Sequence, residues 1–243
     1  MATNSERSFA DRLGRARSMQ TFIDGFNPVF VPQDPNITAG AFLSYCNGCE
    51  AANTDVSAAE TDYTNKTGDR VETTADLKAL AGRVEDSVTS NVAWKKFHKS
   101  VIDASQAVRG TKTPAKKPAP PAGSPPPAPK PARQGAQSQQ GFSDIAKHFA
   151  KLVKAVEKIT GYASAPGSGL SLVDLNAKLA AYVALNSSVQ AAEVTLDSAQ
   201  TTRLGFYNGE GGLKEKMKSI KKATAGQYGR ASTQYLSIKG IAL

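Results

Sequence analysis

Cysteine and aromatic residues are scarce in this chain of 243 residues. It has two Cys and one Trp, and aromatic residues make up 7% of the total. Two cysteines exclude the disulfide-dense framework of small secreted domains. No apolar run reaches the roughly 18 residues of a membrane span, and no Gly-X-Y period indicates a collagen-like chain. What is present is a globular composition, 40% hydrophobic and 21% charged, which is enough for one or two domains.

Proline is rare except in one segment. Nine of the 13 prolines fall between residues 110 and 141, where there is no acidic residue and no Val, Ile, Leu or aromatic. Such a composition cannot build a core and is typical of a disordered linker with local polyproline II structure. We therefore predict a helical repeat copy at 1–109, a disordered Pro/Ala/Lys-rich linker at 110–141, and a second copy at 142–243.

The net charge of +9 is unevenly spread along the chain. Counting Lys and Arg against Asp and Glu gives −2 for residues 1–109, +5 for 110–141 and +6 for 142–243. A polyanionic partner is therefore expected at the linker and the second half. The N-terminal residues are rich in Arg but lack the apolar core of a secretory signal, so we expect a cytoplasmic protein.

An internal repeat is visible when the chain is compared with itself at an offset of 133 residues. The stretch NTDVSAAE, from Asn53, aligns with NSSVQAAE, from Asn186, with five identities in eight positions. Two charged pairs also match, Glu60 with Glu193 and Arg70 with Arg203. After a three-residue insertion following Arg203, apolar residues continue to match up to Ile102 and Ile238. The pattern predicts two tandem copies of one unit.

Apolar residues in each copy recur at three- and four-residue steps, which predicts amphipathic helices. In the first copy we predict helices over 5–26, 38–66 and 74–108. In the second we predict helices over 142–159, from a Ser171 N-cap to Asn208, and over 213–224. The fold class is therefore all-α, two copies of a three-helix unit. Whether each copy closes as its own bundle or the two pack together is left open by the sequence.

Two motifs invite a chemical interpretation. Cys46-Asn47-Gly48-Cys49 is a CxxC sequence, found in redox pairs and zinc sites. The repeat aligns both cysteines with apolar stripe positions, Leu179 and Tyr182, so we favour buried core thiols over a redox or metal role. The glycine-rich turn at Asn208–Leu213 resembles a phosphate loop, but its spacing favours a helix end followed by a turn into the next helix.

Lysines form the main surface feature. Two sets occur at helical spacing, and each predicts a charged helix face. The first set is Lys147, Lys151, Lys154 and Lys158, and the second is Lys214, Lys218, Lys221 and Lys222. Either set could contact the phosphates of a polyanion, or form a solvated face. Few aromatic residues lie among these lysines, so a stacking platform for single strands is not expected.

Catalytic patterns such as a nucleophile elbow or HExxH are not found. We therefore expect no catalytic residue, no cofactor and no metal site, and we interpret Glu60, Arg70, Glu193 and Arg203 as structural. The second half, with Arg203, Tyr207, Gly211-Gly212-Leu213 and a Gly229-x-x-Ser232-x-x-Tyr235 ending, resembles uncharacterised bacterial tandem helical-repeat proteins. The first half replaces that ending with Trp94-Lys95-Lys96-Phe97-His98. The resemblance implies a helical fold and a bacterial source, and it implies no activity.

Together these patterns predict a non-enzymatic helical interaction or scaffold protein that acts on a protein partner or on a second copy of itself. The alternative is a protein that binds nucleic acid or another polyanion through its basic second half and linker.

Overall fold

A computed structural model describes residues 4–111, 141–162 and 168–243, and all regular secondary structure in these ranges is helical. The elements of the first half are α1 (Asn4–Asp24), α2 (Ala39–Thr89) and α3 (Lys95–Arg109). Those of the second half are α4 (Phe142–Glu157), α5 (Leu172–Asn208), α6 (Leu213–Tyr228) and α7 (Thr233–Lys239). The predicted all-α fold class is confirmed, whereas most of the predicted linker lies outside the described residues.

The predicted helix break near Lys66 is wrong. The chain continues as one helix of 51 residues, α2, and the break comes instead at Ser90–Asn91. Gly68 lies in the predicted break, but an isolated Gly costs a helix only about 1 kcal/mol and neighbouring turns can offset that. At the actual break, the Asn91 side chain accepts a hydrogen bond from the amide of Ala93 and starts the short turn that leads into α3.

The start of α5 follows the predicted signal, whereas the end of α6 does not. Ser171 accepts a hydrogen bond from the amide of Asp174 at the start of α5, at 3.1 Å, as predicted for an N-cap. The helix predicted to end at Thr224 extends to Tyr228, because Gly226 remains helical and Gly229, at φ +88°, ends it. Gly110, at φ +75°, ends α3 in the left-handed conformation.

The chain divides into two compact units, and each takes residues from both halves of the sequence. The first unit comprises residues 1–64 and 191–243. It contains α1, the beginning of α2, the end of α5, and α6 with α7. Its core is built largely from the following buried side chains: Ala16, Met19, Ile23, Phe42, Cys46, Cys49, Tyr207, Leu213, Met217, Ile220 and Ile238.

The second unit comprises residues 65–190. The end of α2 joins α3, α4 and the beginning of α5 around a separate core. This core is built largely from the following buried side chains: Leu77, Ala81, Val84, Val88, Val101, Val108, Ile145, Phe149, Leu152, Val156, Leu175 and Tyr182. Ser105, buried between apolar neighbours, donates a hydrogen bond to the Ala81 carbonyl at 2.9 Å. Because α2 and α3 belong to the first half of the chain and α4 and α5 to the second, this core needs both halves.

Many positions that the alignment of the sequence with itself matches are buried at both members of the pair. The buried pairs include Ile37 with Leu170, Phe42 with Leu175, Val56 with Val189, Ala59 with Ala192, Leu77 with Leu213 and Val84 with Ile220. The described residues contain no helix that is both long enough and apolar enough to cross a membrane.

Candidate functional site

The first lysine set forms one exposed face of α4. Lys147, Lys151, Lys154 and Lys158 are all exposed. The opposite side of the helix is buried in the core of the second unit through Ile145, Phe149, Leu152, Val153 and Val156. Lys147 lies 3.2 Å from the Asp144 carboxylate, in an exposed pair that contributes little to stability. We call these four residues the lysine face of α4.

The second lysine set is divided between solvent and the protein itself. Lys214, Lys218 and Lys222 are exposed on α6, whereas Lys221 is partly buried. The Lys221 ammonium donates hydrogen bonds to the carbonyls of Lys239, at 3.0 Å, and Ile241. Burial also lowers the pKa of Lys221. Lys221 therefore holds the end of α7 against α6. The two lysine sets lie in different units.

The arginines matched by the repeat make equivalent contacts. The Arg70 guanidinium carbon lies 3.8 Å from the centre of the Phe142 ring, in the second unit. The Arg203 guanidinium carbon lies 4.4 Å from the Phe9 ring, in the first unit. Phe9 and Phe142 are themselves matched by the repeat. Each arginine thus reaches an aromatic ring supplied by the other half of the chain, as cation–π contacts allow. Glu60 is partly buried and Glu193 is exposed.

Two buried tyrosines make polar contacts that the sequence patterns did not predict. Asn53 donates a hydrogen bond to the Tyr207 hydroxyl at 2.9 Å, and the hydroxyls of Thr74 and Tyr182 lie 2.7 Å apart. Burial raises the pKa of Tyr207 to about 12, against the effect of the Asn53 hydrogen bond. A tyrosine on an apolar helix stripe needs a partner for its hydroxyl. The sequence therefore indicates that each tyrosine hydroxyl needs a hydrogen-bond partner. It cannot identify that partner when the partner is more than a hundred residues away.

The CxxC sequence lies in the core, as predicted. Cys46 and Cys49 are free and fully buried. Burial raises the pKa of Cys46 to about 11, although Arg17 acts in the opposite direction. Burial and the neighbouring Cys46 raise the pKa of Cys49 to about 12. Gly48 makes room for Phe206, since a Cβ there would lie 2.9 Å from the ring. Packing thus accounts for the motif. The described residues contain no cluster of three or more His, Cys, Asp or Glu that could hold a metal ion.

The glycine-rich turn joins α5 to α6, as predicted. A Cβ on Gly209 would lie 2.6 Å from the Gly205 carbonyl oxygen, and Gly211 has φ +67°. The Gly211 amide donates to the Glu215 carboxylate at 2.7 Å. The Glu215 carboxylate thus already accepts a hydrogen bond from an amide at the start of α6. A phosphate would need the same amide, so the turn is a poor phosphate site.

A small cavity lies beside this turn in the first unit. Its volume is about 60 Å³, and Arg12, Tyr207, Asn208, Lys214 and Met217 line it. Arg12 is held by a 3.0 Å hydrogen bond to the Asn208 side chain. Pockets for small molecules typically measure about 300–1,000 Å³, so this cavity can hold a few water molecules at most.

The chain matches no family model, no curated protein and no solved structure.

Proposed function

We propose that this chain is a non-enzymatic helical interaction or scaffold protein. It is formed by two tandem copies of one helical unit, and its surface contacts a protein partner or a second copy of the same chain. The two copies correspond to residues 1–109 and 142–243, with 110–141 as a linker.

The contacts of the repeat support the duplication. The offset that aligns the sequences also matches two contacts: the one between Arg70 and Phe142 and the one between Arg203 and Phe9. It pairs buried apolar residues in α2 with buried residues in α5 and α6 as well. The insertion after Arg203 falls where the second copy turns at Gly209–Gly212, whereas α2 of the first copy runs on unbroken. The two units are thus assembled from equivalent residues.

One observation carries the functional proposal. The two units have equivalent buried residues, but they differ in the charged residues that they carry. Residues 1–64 and 191–243 contain 12 basic and 12 acidic residues, whereas the described residues of the second unit, 65–111, 141–162 and 168–190, contain 13 and 9. Equivalent interiors serve the fold. A partner would therefore recognise the surfaces, because these are what differs between the two units.

Self-association is the version of this proposal that can be tested on the purified chain. Sedimentation equilibrium at about 0.15 M salt, from micromolar to sub-millimolar protein, should give a mass that rises with concentration. A constant monomer mass, together with binding to nucleic acid that weakens steeply with salt, would overturn self-association and favour the second candidate.

The second candidate is binding to nucleic acid or another polyanion. The observation that favours it is that residues 65–190 carry the whole net charge, +9, and the first unit carries none. Binding to labelled DNA and RNA across a salt series tests it, because each phosphate contact steepens the salt dependence by a known amount. Failure to bind either nucleic acid at low salt would remove this candidate.

A further inference from the structure

We propose that the lysine face of α4 binds the phosphate backbone of double-stranded nucleic acid, and that the lysines of α6 are no part of this surface. The inference rests on the second candidate function.

The geometry of α4 suits a linear array of phosphates. From Lys147 to Lys158 the helix rises about 16 Å, at about 1.5 Å per residue. All four lysines are exposed and project away from the core. At about 100° per residue, Glu157 falls on the flank of the helix, whereas Asp144 lies at the N-terminal edge of the lysine face, where it pairs with the exposed Lys147. No other carboxylate of α4 lies on this face. Four cations can thus approach one anionic partner together.

The surroundings of α4 strengthen its attraction for anions. α4 packs along α3, which carries the exposed residues Lys95, Lys96 and Lys99. Lys99 is paired with Asp103 at 3.0 Å, but its side chain remains 87% exposed. Both helices belong to the second unit, whose described residues carry a net charge of +4, while residues 112–140 of the sequence add five basic and no acidic residues. A basic field of this kind concentrates polyanions near the surface and speeds their association.

Charge density favours a duplex over an acidic protein surface. The lysines lie three or four residues apart, about 4.5–6 Å along the helix. Double-stranded DNA presents one negative charge per about 1.7 Å of its axis, so a single duplex can supply a phosphate to every lysine. The exposed carboxylates of α2 recur at this spacing only at Asp69, Glu72 and Asp76, which is one fewer than the lysines of α4, whereas the phosphates of a duplex continue along its whole length. No exposed aromatic residue lies on this face of α4 to stack unpaired bases.

The lysines of α6 differ in what they contact. Lys221 is committed to two main-chain carbonyls, and Lys216 lies over the Tyr45 ring at 4.7 Å. Glu215 shares the exposed side of the helix with Lys222. α6 also belongs to the unit with no net charge. It therefore presents three exposed lysines, Lys214, Lys218 and Lys222, in a unit without net charge, whereas α4 presents four.

The test compares two charge-matched variants of the full chain. One carries Lys→Gln at 147, 151, 154 and 158, and the control carries Lys→Gln at the exposed positions 214, 218, 222 and 239. Each variant loses four positive charges. Binding of a mixed-sequence 20-base-pair duplex, about two turns long, is followed by fluorescence anisotropy between about 50 and 200 mM salt.

Four phosphate contacts correspond to a slope of about −3.6 in log K against log salt, or an affinity loss of about 150-fold over that range. The α4 variant should lose this part of the slope, and the control should keep it. Lys→Arg at the four α4 positions retains the charge and should restore it, which separates loss of charge from damage to the fold.

Three results would overturn the inference. Equal weakening by both variants would show that net charge alone matters, and the second candidate function would survive. Binding to single-stranded DNA of the same length as tightly as to the duplex would contradict a duplex surface. No binding by the wild-type chain at low salt would remove the second candidate function and this inference together.

Discussion

At the scale of single residues, the two matched arginines make the same kind of contact, each in a different unit. Arg203 is 5% exposed and Arg70 is partly buried, yet each guanidinium lies over a phenylalanine ring. Removing water from a cation–π contact strengthens it, to about 2 kcal/mol or more in desolvated sites. These two contacts join the halves of the chain within each unit, so they should matter to stability in both.

We expect Arg70→Gln and Arg203→Gln each to lower the free energy of unfolding by about 1–2 kcal/mol. Urea denaturation checks this, with Arg230→Gln as the control, because Arg230 is exposed and should change stability by less than about 0.5 kcal/mol. A double-mutant cycle with Phe142→Leu isolates the Arg70 contact. Additive effects in that cycle would show that the ring and the guanidinium do not interact.

The buried thiols predict a dependence of stability on alkaline pH. Folding raises the pKa of Cys46 from 9.0 to about 11 and that of Cys49 to about 12. Unfolding releases thiols that ionise near pH 9. Their contribution to stability is therefore complete below pH 9 and is lost as the pH rises towards 11–12. Guanidinium midpoints should fall above pH 9, and less steeply in the Cys46→Ala/Cys49→Ala variant.

The same burial should slow thiol chemistry. A pKa raised by two units reduces the thiolate fraction at pH 8 by about 100-fold. Labelling by a disulfide reagent at pH 8 should therefore be at least about 100-fold slower in the folded chain than in guanidinium. Equal rates would place the thiols at the surface and reopen a redox role for the CxxC sequence.

At the scale of helices, the turn between α5 and α6 is the clearest difference between the two aligned halves of the chain, because α2 continues unbroken at the matching position. Gly209 lies against the Gly205 carbonyl, whereas a Cβ added to Gly205 would meet no atom within 4 Å. We expect Gly209→Ala to destabilise the chain by about 2 kcal/mol or more through this backbone clash. Gly205→Ala should stabilise α5 by up to about 1 kcal/mol, because it removes an exposed Gly from a helix interior.

Gly205 lies in the last turn of α5, and Gly209 directly follows the helix. The two variants make opposite predictions, so each serves as the control for the other. Thermal denaturation monitored by circular dichroism is sufficient. If both variants change the melting temperature in the same direction, the turn does not depend on the close approach at Gly209.

Helix existence was predictable from the sequence, and long-range pairing was not. The apolar period located α4 and α5 to within two residues, because both begin and end at strong turn residues. The period could not show that α2 passes through Gly68, since an isolated Gly is tolerated when packing supports the flanking turns. The lysine face of α4 was predictable from spacing alone. The role of Lys221 was not, because it depends on carbonyls 18 and 20 residues away.

At the scale of the whole molecule, the decisive feature is that neither half of the chain contains a complete core. Ile145, Phe149 and Leu152 from α4 share a cluster with Leu77, Val84 and Val101 from the first half. Phe42 and Cys46 from the first half share a cluster with Tyr207, Leu213 and Ile220 from the second. Burying a large apolar side chain contributes about 1.5–3 kcal/mol, and separating the halves would expose many of them at once.

We therefore expect the two halves to remain associated after the chain is cut between them. The cut is made at a protease site inserted within residues 112–140, because the composition of this segment predicts a linker. The products should elute together in gel filtration at the position of the intact 25.5 kDa chain and should separate only in denaturant. The intact chain carrying the same insertion is the control for any change in shape.

The isolated halves provide the converse experiment. Residues 1–111 or 141–243 expressed alone should lack cooperative unfolding, because each retains only part of both cores. Mixing them should restore it. If the cleaved halves instead separate without denaturant and each unfolds cooperatively, each copy closes as its own bundle. That was one of the two arrangements the sequence allowed, and the assignment of shared cores would then be wrong.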